Sequence, residues 1–254
     1  MSEPLRIRRG GSGEPVLLLL HGLGATGDVW RGLEALLPGR WPGQWITPDL
    51  PGHGGSAPLS DYTFERMAKA VAQSVPPRAW LAVLGHSLGG VIALVLAGGQ
   101  SGVRVSAVCG VGIKVAWTDE ELARAQGLAT RPNPVYSTRA EAVDRYLKVA
   151  GLVGLVRPDA VGDAAVVETP AGWSPAFDPK AFAVGAPAMH MLLHAAEGTV
   201  VLAAGGRDPM CTEEQLRRVA PDPVVLPGLG HNAHVEDPAA LVPLLGRLAG
   251  ARLS

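Results

Sequence analysis

Six short, continuous runs of apolar residues, separated by longer amphipathic stretches, constrain the fold of this chain more than any other feature. Apolar residues occupy consecutive positions in these runs rather than alternating ones, which is typical of strands covered on both faces. Such strands form a mostly parallel sheet with helices on either side. The sequence therefore predicts an α/β fold with strands at 16–20, 45–47, 81–84, 105–109, 199–204 and 223–226.

Helical periodicity fills most of the intervals between the apolar runs. The last helix begins after Asp237, a favoured N-cap residue, and Pro238, which suits a first helical turn. Pro243 lies within the same pattern, where a proline would normally interrupt the hydrogen bonding, and the pattern does not explain it. We expect helices at 28–37, 63–75, 88–97, 212–220 and 238–248.

The alternation of strand and helix is lost between residues 115 and 198. Two capping-box motifs, Thr118-x-x-Glu121 and Thr138-x-x-Glu141, each predict the start of a helix in this segment. The stretch 162–179 has the composition of a loop. We therefore expect an inserted helical cap at 115–198, with an α/β core formed by residues 1–114 and 199–254.

Composition limits the partners of the chain. Its 254 residues suit one catalytic unit, and a net charge of −1 gives no basic field for nucleic acid or an anionic membrane. The first ten residues lack the apolar core of a signal peptide, and no apolar run approaches the roughly 18 residues of a membrane helix. We expect a cytoplasmic protein that acts on a small, largely apolar molecule, without nucleic-acid or membrane partners; a homo-oligomer remains compatible with the sequence.

Ser87 lies in the motif Gly85-His86-Ser87-Leu88-Gly89, directly after a predicted strand and before a predicted helix. A strand-to-helix turn this sharp strains the serine backbone, and glycines two residues on either side allow the close packing that the turn requires. The turn exposes the serine hydroxyl at the carboxyl edge of the sheet, beside the positive end of the following helix. This context favours a nucleophilic serine over an incidental one.

A serine hydroxyl needs a base to accept its proton and an acid to orient that base. Of the seven histidines, His231 follows the last predicted strand through a glycine-containing loop, and we predict it as the base; His234 is expected to pack within that loop. Asp208 follows the strand at 199–204 through a turn at the same edge of the sheet, and we predict it as the orienting acid, with Asp119 as the main substitute.

The segment His21-Gly22-Leu23-Gly24 follows the first predicted strand and has the composition of a tight turn at the same edge. Acyl transfer places negative charge on a carbonyl oxygen, which two fixed backbone N–H groups stabilise well. Leu23 and Leu88 are the predicted donors. The alternative is a turn with no part in catalysis.

Together these motifs resemble the α/β-hydrolase superfamily, because they occur in the order His21-Gly22, Pro48 to Ser56, the Ser87 turn, Gly206-Arg207-Asp208 and Gly230-His231. The resemblance covers nearly the whole chain apart from the insertion. It implies an eight-stranded, mainly parallel sheet, a lid after the sixth strand and carboxylesterase-like activity. It also implies that the turn from Pro48 to Ser56 is structural, so that His53 has no catalytic role.

The comparison with this superfamily also narrows the chemistry. Members that act on haloalkanes or epoxides carry aspartate at the nucleophile position, so Ser87 argues against both reactions. Carbon–carbon bond hydrolases of the superfamily often have asparagine where His86 stands, which disfavours that reaction without removing it. A lyase, or a ligand-binding protein that kept the fold without turnover, stays open as well.

The remaining predictions concern the cap and the absence of cofactors. We expect Trp117, Trp173 and Met189 to face an apolar pocket above Ser87 that favours short acyl groups. His190 and His194 have helical spacing but no accompanying carboxylate of a metal motif, so we predict a cap helix rather than a metal site. Neither metal nor cofactor is expected, and the two cysteines, Cys109 and Cys211, are predicted to be buried free thiols.

Overall fold

A computed structural model describes residues 4–77 and 79–250 of the chain. Within these residues, seven strands form one sheet in the order β1-β3-β2-β4-β5-β8-β9, and two further strands, β6 and β7, form a separate hairpin. The strands of the sheet are β1 (Ile7–Gly10), β2 (Val16–Leu20), β3 (Trp45–Pro48), β4 (Leu81–His86), β5 (Val105–Val111), β8 (Thr199–Gly205) and β9 (Val224–Leu226). All neighbours are parallel except β1 and β3.

Two predictions about the sheet need correction. The described residues contain seven strands in the sheet, whereas eight were expected from the resemblance. The edge strand β1 was also missed, because its Arg8 and Arg9 give it none of the apolar character by which the other strands were found. Arg8 instead forms ion pairs with Asp28 and Glu34, so this strand is attached by charge as well as by backbone pairing.

The α-helices are α1 (Arg31–Glu34), α2 (Phe64–Ala72), α3 (Leu88–Ala97), α4 (Asp119–Ala129), α5 (Arg139–Val149), α6 (Met189–Ala195), α7 (Glu213–Arg217), α8 (Ala233–Glu236) and α9 (Val242–Gly250). The helix predicted at 238–248 is a 3-10 turn, Pro238–Leu241, followed by α9. Pro243 is therefore the second residue of an α-helix, where a backbone N–H has no acceptor within the helix and a proline is tolerated. This position explains why a proline is tolerated at residue 243, which the sequence pattern alone did not.

Strand β2 shows why its apolar run is continuous. Val16, Leu18 and Leu20 pack into the core on one face of the sheet, and Leu17 and Leu19 pack into the core on the other. Helix α3 is buried along its whole length because it lies against β4 and β5 and is covered by α2. The helix that follows Ser87 is therefore held firmly at the centre of the molecule.

Residues 115–198 contain more than helices. Both capping boxes are present, with Thr118 starting α4 and Thr138 starting α5. The stretch predicted as a loop at 162–179 contains the antiparallel hairpin of β6 (Val166–Thr169) and β7 (Gly172–Pro175). Within the described residues, no helix combines the length and apolar character needed to cross a lipid bilayer.

Candidate active site

Ser87 occupies a turn whose backbone conformation is unusual. Its φ and ψ are 50° and −115°, and among the described residues it is the only non-glycine with a positive φ. A Cβ on Gly85 would overlap the Gly89 carbonyl, and a Cβ on Gly89 would overlap the Leu20 carbonyl. The two glycines thus let β4, α3 and β2 approach closely enough to force the strained turn at Ser87.

The Ser87 backbone is also fixed by the neighbouring strand, because its N–H donates to the Val111 carbonyl at 2.8 Å. Leu88 is the first residue of α3, where a backbone N–H has no acceptor within the helix. The positive end of the helix dipole therefore lies beside the Ser87 hydroxyl. A negative charge that develops here would be stabilised.

His231 and Asp208 form a hydrogen-bonded pair, with 2.9 Å between His231 Nδ1 and Asp208 Oδ2. Asp208 is buried, and its other carboxylate oxygen accepts the Met210 N–H at 2.8 Å. A buried carboxylate that accepts from Nδ1 orients the imidazole and leaves Nε2 free to accept a proton from elsewhere. The structure thus brings together the two residues that the sequence analysis named as base and orienting acid.

The loop that carries His231 is held on both sides of that residue. The Glu236 carboxylate accepts the Gly230 N–H, with distances of 2.9 and 3.1 Å to its two oxygens. Asn232 donates to the Gly151 carbonyl, just beyond the end of α5, at 2.9 Å. The position of His231 is therefore linked both to its own loop and to the backbone just after α5.

His21 organises the turn that follows β2. Its Nε2 accepts the Leu50 N–H at 2.8 Å, so its proton lies on Nδ1, which donates to the Gly22 carbonyl at 2.8 Å. Complete burial lowers the pKa of His21, which keeps the ring neutral in this tautomer. The carbonyl and the next N–H of a trans peptide point in opposite directions, so this bond also orients the Leu23 N–H.

A cavity of about 400 Å³ brings these residues together, which places it towards the lower end of the usual range for ligand pockets. It is bordered by Ser87 and His231, and by the two predicted donor residues Leu23 and Leu88. Trp117 also lines it, as predicted. Further apolar residues make up much of the remaining wall: Phe64, Val91, Leu122, Leu128, Val149, Phe182, Val184 and Met210.

Two of the predicted pocket residues lie elsewhere, and those predictions were wrong. Trp173 pairs with Tyr136 through two backbone hydrogen bonds of 2.7 and 2.8 Å and does not border the cavity. Met189 is buried in the core at the start of α6, which packs on α3. His190 and His194 lie on the same helix and are also absent from the cavity wall.

The cavity wall also includes charged side chains. Lys114 forms an ion pair with Glu121 in the first turn of α4 and lies 5.1 Å from the centre of the Trp117 ring. Arg124 lines the cavity as well and is exposed. The wall is thus mainly apolar but contains a few charged side chains.

The other histidines near the sheet are buried and have structural positions. His53 donates from Nδ1 to the Pro51 carbonyl, packs on Phe177 and lies outside the cavity wall. His234 packs between Trp30 and His86, and neither of its ring nitrogens has a hydrogen-bond partner among the described residues. Burial lowers the pKa of both His53 and His234 to about 3, so each ring is neutral at ordinary pH.

A larger groove, of about 850 Å³, lies at the opposite edge of the sheet. It is bordered by residues near the end of α2 and by the segments just before β4 and β5, including Val75, Ala79 and Val103. Among the residues that the structure describes, no histidine or carboxylate borders it. Of these two cavities, the smaller one is bordered by Ser87 and His231.

Comparison with known proteins is consistent with this architecture. The model of a family described as "Alpha/beta hydrolase family" matches residues 17–244. The chain belongs to the α/β-hydrolase family.

Similar solved structures include E-2-(acetamidomethylene)succinate hydrolase, with a TM-score of 0.78 and 21% identity, covering 97% of this chain and 95% of that chain. The thioesterase domain from the curacin biosynthetic pathway has a TM-score of 0.76 and 20% identity, covering 96% of this chain and 99% of that chain. Identities this low establish the fold and not the reaction.

A closer sequence match is local. The chain is 42% identical over 81 residues to a pimeloyl-[acyl-carrier protein] methyl ester esterase of Methylococcus capsulatus. The match covers 32% of this chain and 30% of that protein, so the similarity spans less than a third of the relative's length.

Proposed function

We propose that this protein hydrolyses small carboxylic esters, thioesters or lactones through an acyl-enzyme on Ser87. The observation that carries the proposal is the convergence of a strained Ser87 turn and a hydrogen-bonded Asp208–His231 pair on one apolar cavity. The local similarity to a protein named as a methyl ester esterase supports the same class of reaction.

In the proposed reaction, Nε2 of His231 accepts the proton of the Ser87 hydroxyl as the oxygen attacks the substrate carbonyl carbon. The Leu23 and Leu88 N–H groups stabilise the resulting oxyanion. The intermediate collapses when His231 donates the proton to the leaving alcohol or thiol. A water molecule, deprotonated by His231, then attacks the acyl-enzyme, and His231 returns that proton to Ser87 Oγ as the C–O bond breaks and the acid is released. No cofactor or metal takes part in this sequence.

We propose further that residues 115–198 act as a cap that selects acyl length. Helix α4 contributes Leu122 and Leu128 to the cavity wall, and Trp117 lies just before it. An enclosed apolar wall excludes water from the oxyanion and limits the length of chain that fits. Short acyl groups are therefore the expected substrates.

Labelling with a fluorophosphonate, followed by mass spectrometry, tests the nucleophile. The expected result is a single adduct on Ser87 and loss of both label and ester hydrolysis in Ser87→Ala, with kcat lower by several orders of magnitude. Near wild-type hydrolysis by Ser87→Ala would refute the mechanism. An intact fold with no adduct on wild-type Ser87 would instead favour a binding protein.

A series of p-nitrophenyl esters from acetate to palmitate tests the cap. We expect kcat/KM to be highest for short chains, and Trp117→Ala to shift the preference towards longer ones because it enlarges the cavity. Trp173→Ala is the matched control, since that tryptophan is in the same segment but outside the cavity wall. A preference for palmitate, or the same change of profile in both variants, would contradict the proposal.

A carbon–carbon bond hydrolase or lyase is the second candidate. The same cavity and nucleophile could support it, but His86 occupies the position where that class often has asparagine. Hydrolysis of simple esters with an acyl-enzyme trapped on Ser87 would favour the esterase, whereas turnover of a β-diketone without ester hydrolysis would favour the second candidate.

A further inference from the structure

His86 lies immediately before the nucleophile, yet the proposed reaction gives it no chemical step. It is the last residue of β4 and is only 4% exposed. We propose that His86 is a positioning residue that fixes the loop of the general base against the nucleophile turn and the oxyanion loop. This inference rests on the proposed serine mechanism.

The first observation is a hydrogen bond between distant parts of the chain. Nε2 of His86 lies 2.9 Å from the backbone carbonyl oxygen of His231, which is 145 residues away in the sequence. A carbonyl oxygen can only accept, so Nε2 carries the proton and donates it. The backbone of the base is thereby tied directly to the strand that ends at the nucleophile.

The second observation is the contact with the oxyanion loop. A Cβ placed on Gly22 would lie 2.8 Å from Nδ1 of His86 and 3.4 Å from Cβ of Ser87. The imidazole therefore fills the space against which the Gly22 backbone rests. The Leu23 N–H belongs to the peptide bond between Gly22 and Leu23. The His86 ring therefore also limits how far this proposed oxyanion donor can move.

The third observation is the confinement of the ring itself. The His86 ring centre is 4.7 Å from that of His231, with an angle of 61° between the planes, and 4.2 Å from that of His234. Trp30 packs behind His234 at 4.6 Å. His86 thus lies between the rings of His234 and His231 and contacts both of them.

The chemistry of a buried imidazole suits this role. Burial, and then the neighbouring His234 and His231 rings, lower the pKa of His86 well below its ordinary value. A neutral ring keeps the Nε2–H tautomer that the His231 carbonyl requires, and it places no positive charge beside a base that must itself become cationic during turnover.

Three substitutions separate the hydrogen bond from the packing. His86→Phe keeps an aromatic ring but removes the donor. In His86→Gln the amide nitrogen can reach the position of Nε2, whereas in His86→Asn the shorter side chain cannot. His53→Phe is the matched control, because His53 is also a fully buried histidine that bonds to a backbone carbonyl, but it lies outside the cavity wall.

Steady-state ester hydrolysis and thermal unfolding are measured for each variant. We expect His86→Phe to lower kcat by roughly 10- to 100-fold with KM changed by less than about threefold, because the base is misplaced while the apolar residues of the cavity wall are kept. His86→Gln should recover most of kcat, and His86→Asn should not. His53→Phe should change the melting temperature but leave kcat within about twofold of wild type.

Several outcomes would overturn the inference. A kcat of His86→Phe close to wild type refutes it, and so does equal activity of His86→Gln and His86→Asn. If His86→Phe does not fold, the comparison of the two amide variants decides the question alone. The Ser87→Ala variant, measured in parallel, distinguishes failure of the serine mechanism from failure of the positioning role. An active Ser87→Ala refutes the serine mechanism. An inactive Ser87→Ala beside a fully active His86→Phe refutes only the positioning role of His86.

Discussion

Gly112 provides a sharp test of how tightly the acid–base pair is packed. It follows β5 with a φ of +64°, and a Cβ at this position would lie 3.3 Å from Asp208 Oδ2, from His231 Nδ1 and from the His231 carbonyl oxygen. Gly112→Ala therefore has two separate effects. It strains the backbone, and it pushes a methyl group against the bond between the acid and the base.

The magnitude of the backbone effect follows from general values. A left-handed conformation costs an L-residue about 1–2 kcal/mol, and the lower entropy of the unfolded alanine chain returns about 0.4–1 kcal/mol. The free energy of unfolding of Gly112→Ala should therefore be lower by about 1 kcal/mol, which corresponds to roughly 2–4 °C in melting temperature for a chain of this size. The neighbouring atoms must also move by a few tenths of an ångström, which we expect to lower kcat by roughly tenfold.

Gly39→Ala is the matched control. Gly39 has a φ of +74°, but a Cβ there would have no heavy atom within 4 Å. Urea unfolding should show a similar loss of free energy for both variants, whereas ester hydrolysis at 25 °C should show a lower kcat for Gly112→Ala only. Equal kcat values for the two folded variants would refute the argument that the Asp208–His231 geometry limits the rate.

Three further predictions follow from single contacts. Asp208→Asn should lower kcat by roughly 10³- to 10⁴-fold, less than loss of the nucleophile, because the imidazole loses its orienting charge but the cavity is kept. His234→Phe should fold as well as wild type at pH 7, since no hydrogen bond of His234 is found in the described residues. The pKa of His234 is about 3 in the native state and 6.5 in the unfolded state, so the unfolded chain binds a proton first as the pH falls. The free energy of unfolding of the wild type therefore decreases by up to about 1.4 kcal/mol for each pH unit below 6.5. Urea unfolding measured between pH 3 and 7 should show a smaller decrease in His234→Phe. Thr138→Ala removes the N-cap acceptor of Glu141 N–H and should cost about 1 kcal/mol in urea unfolding, without changing kcat.

Each of these predictions has a contrary result. Unchanged kcat in Asp208→Asn would mean that another group orients the base. An unchanged pH dependence of stability in His234→Phe would show that this ring is not kept neutral by the fold. A lower kcat in Thr138→Ala, at unchanged stability, would connect the start of α5 to the site in a way that the structure does not explain.

The sequence was sufficient to place the three candidate catalytic residues at the ends of strands, because strand ends are easy to locate. Ser87, Asp208 and His231 each follow a parallel strand, and the carboxyl ends of parallel strands meet at one edge of the sheet. The strands themselves often extend further than predicted. Strand β4, for example, continues through Gly85 and His86 because these residues pair with Gly110 and Val111, although glycine has little strand preference of its own.

The wall of the cavity was much less predictable, because it depends on the path of the inserted segment. Trp173 and Met189 are large and apolar, as pocket residues often are, but the first is held by the hairpin and its pairing with Tyr136, and the second by the core. The hairpin was missed because Val166–Thr169 is short and partly exposed and is followed by turn residues. Composition can indicate that such residues belong to the segment 115–198, but it does not show which of them face the cavity.

The two edge strands of the sheet are short, which limits how copies of this chain can pair with one another. Strand β1 is four residues long and carries two arginines, and β9 is three residues long. Unpaired strand edges are where sheets of separate molecules join, and short or charged edges oppose such joining. The chain therefore offers other copies little backbone with which to extend its sheet, even at the high local concentrations reached during synthesis. Self-association through a continuous intermolecular sheet is therefore disfavoured at both edges.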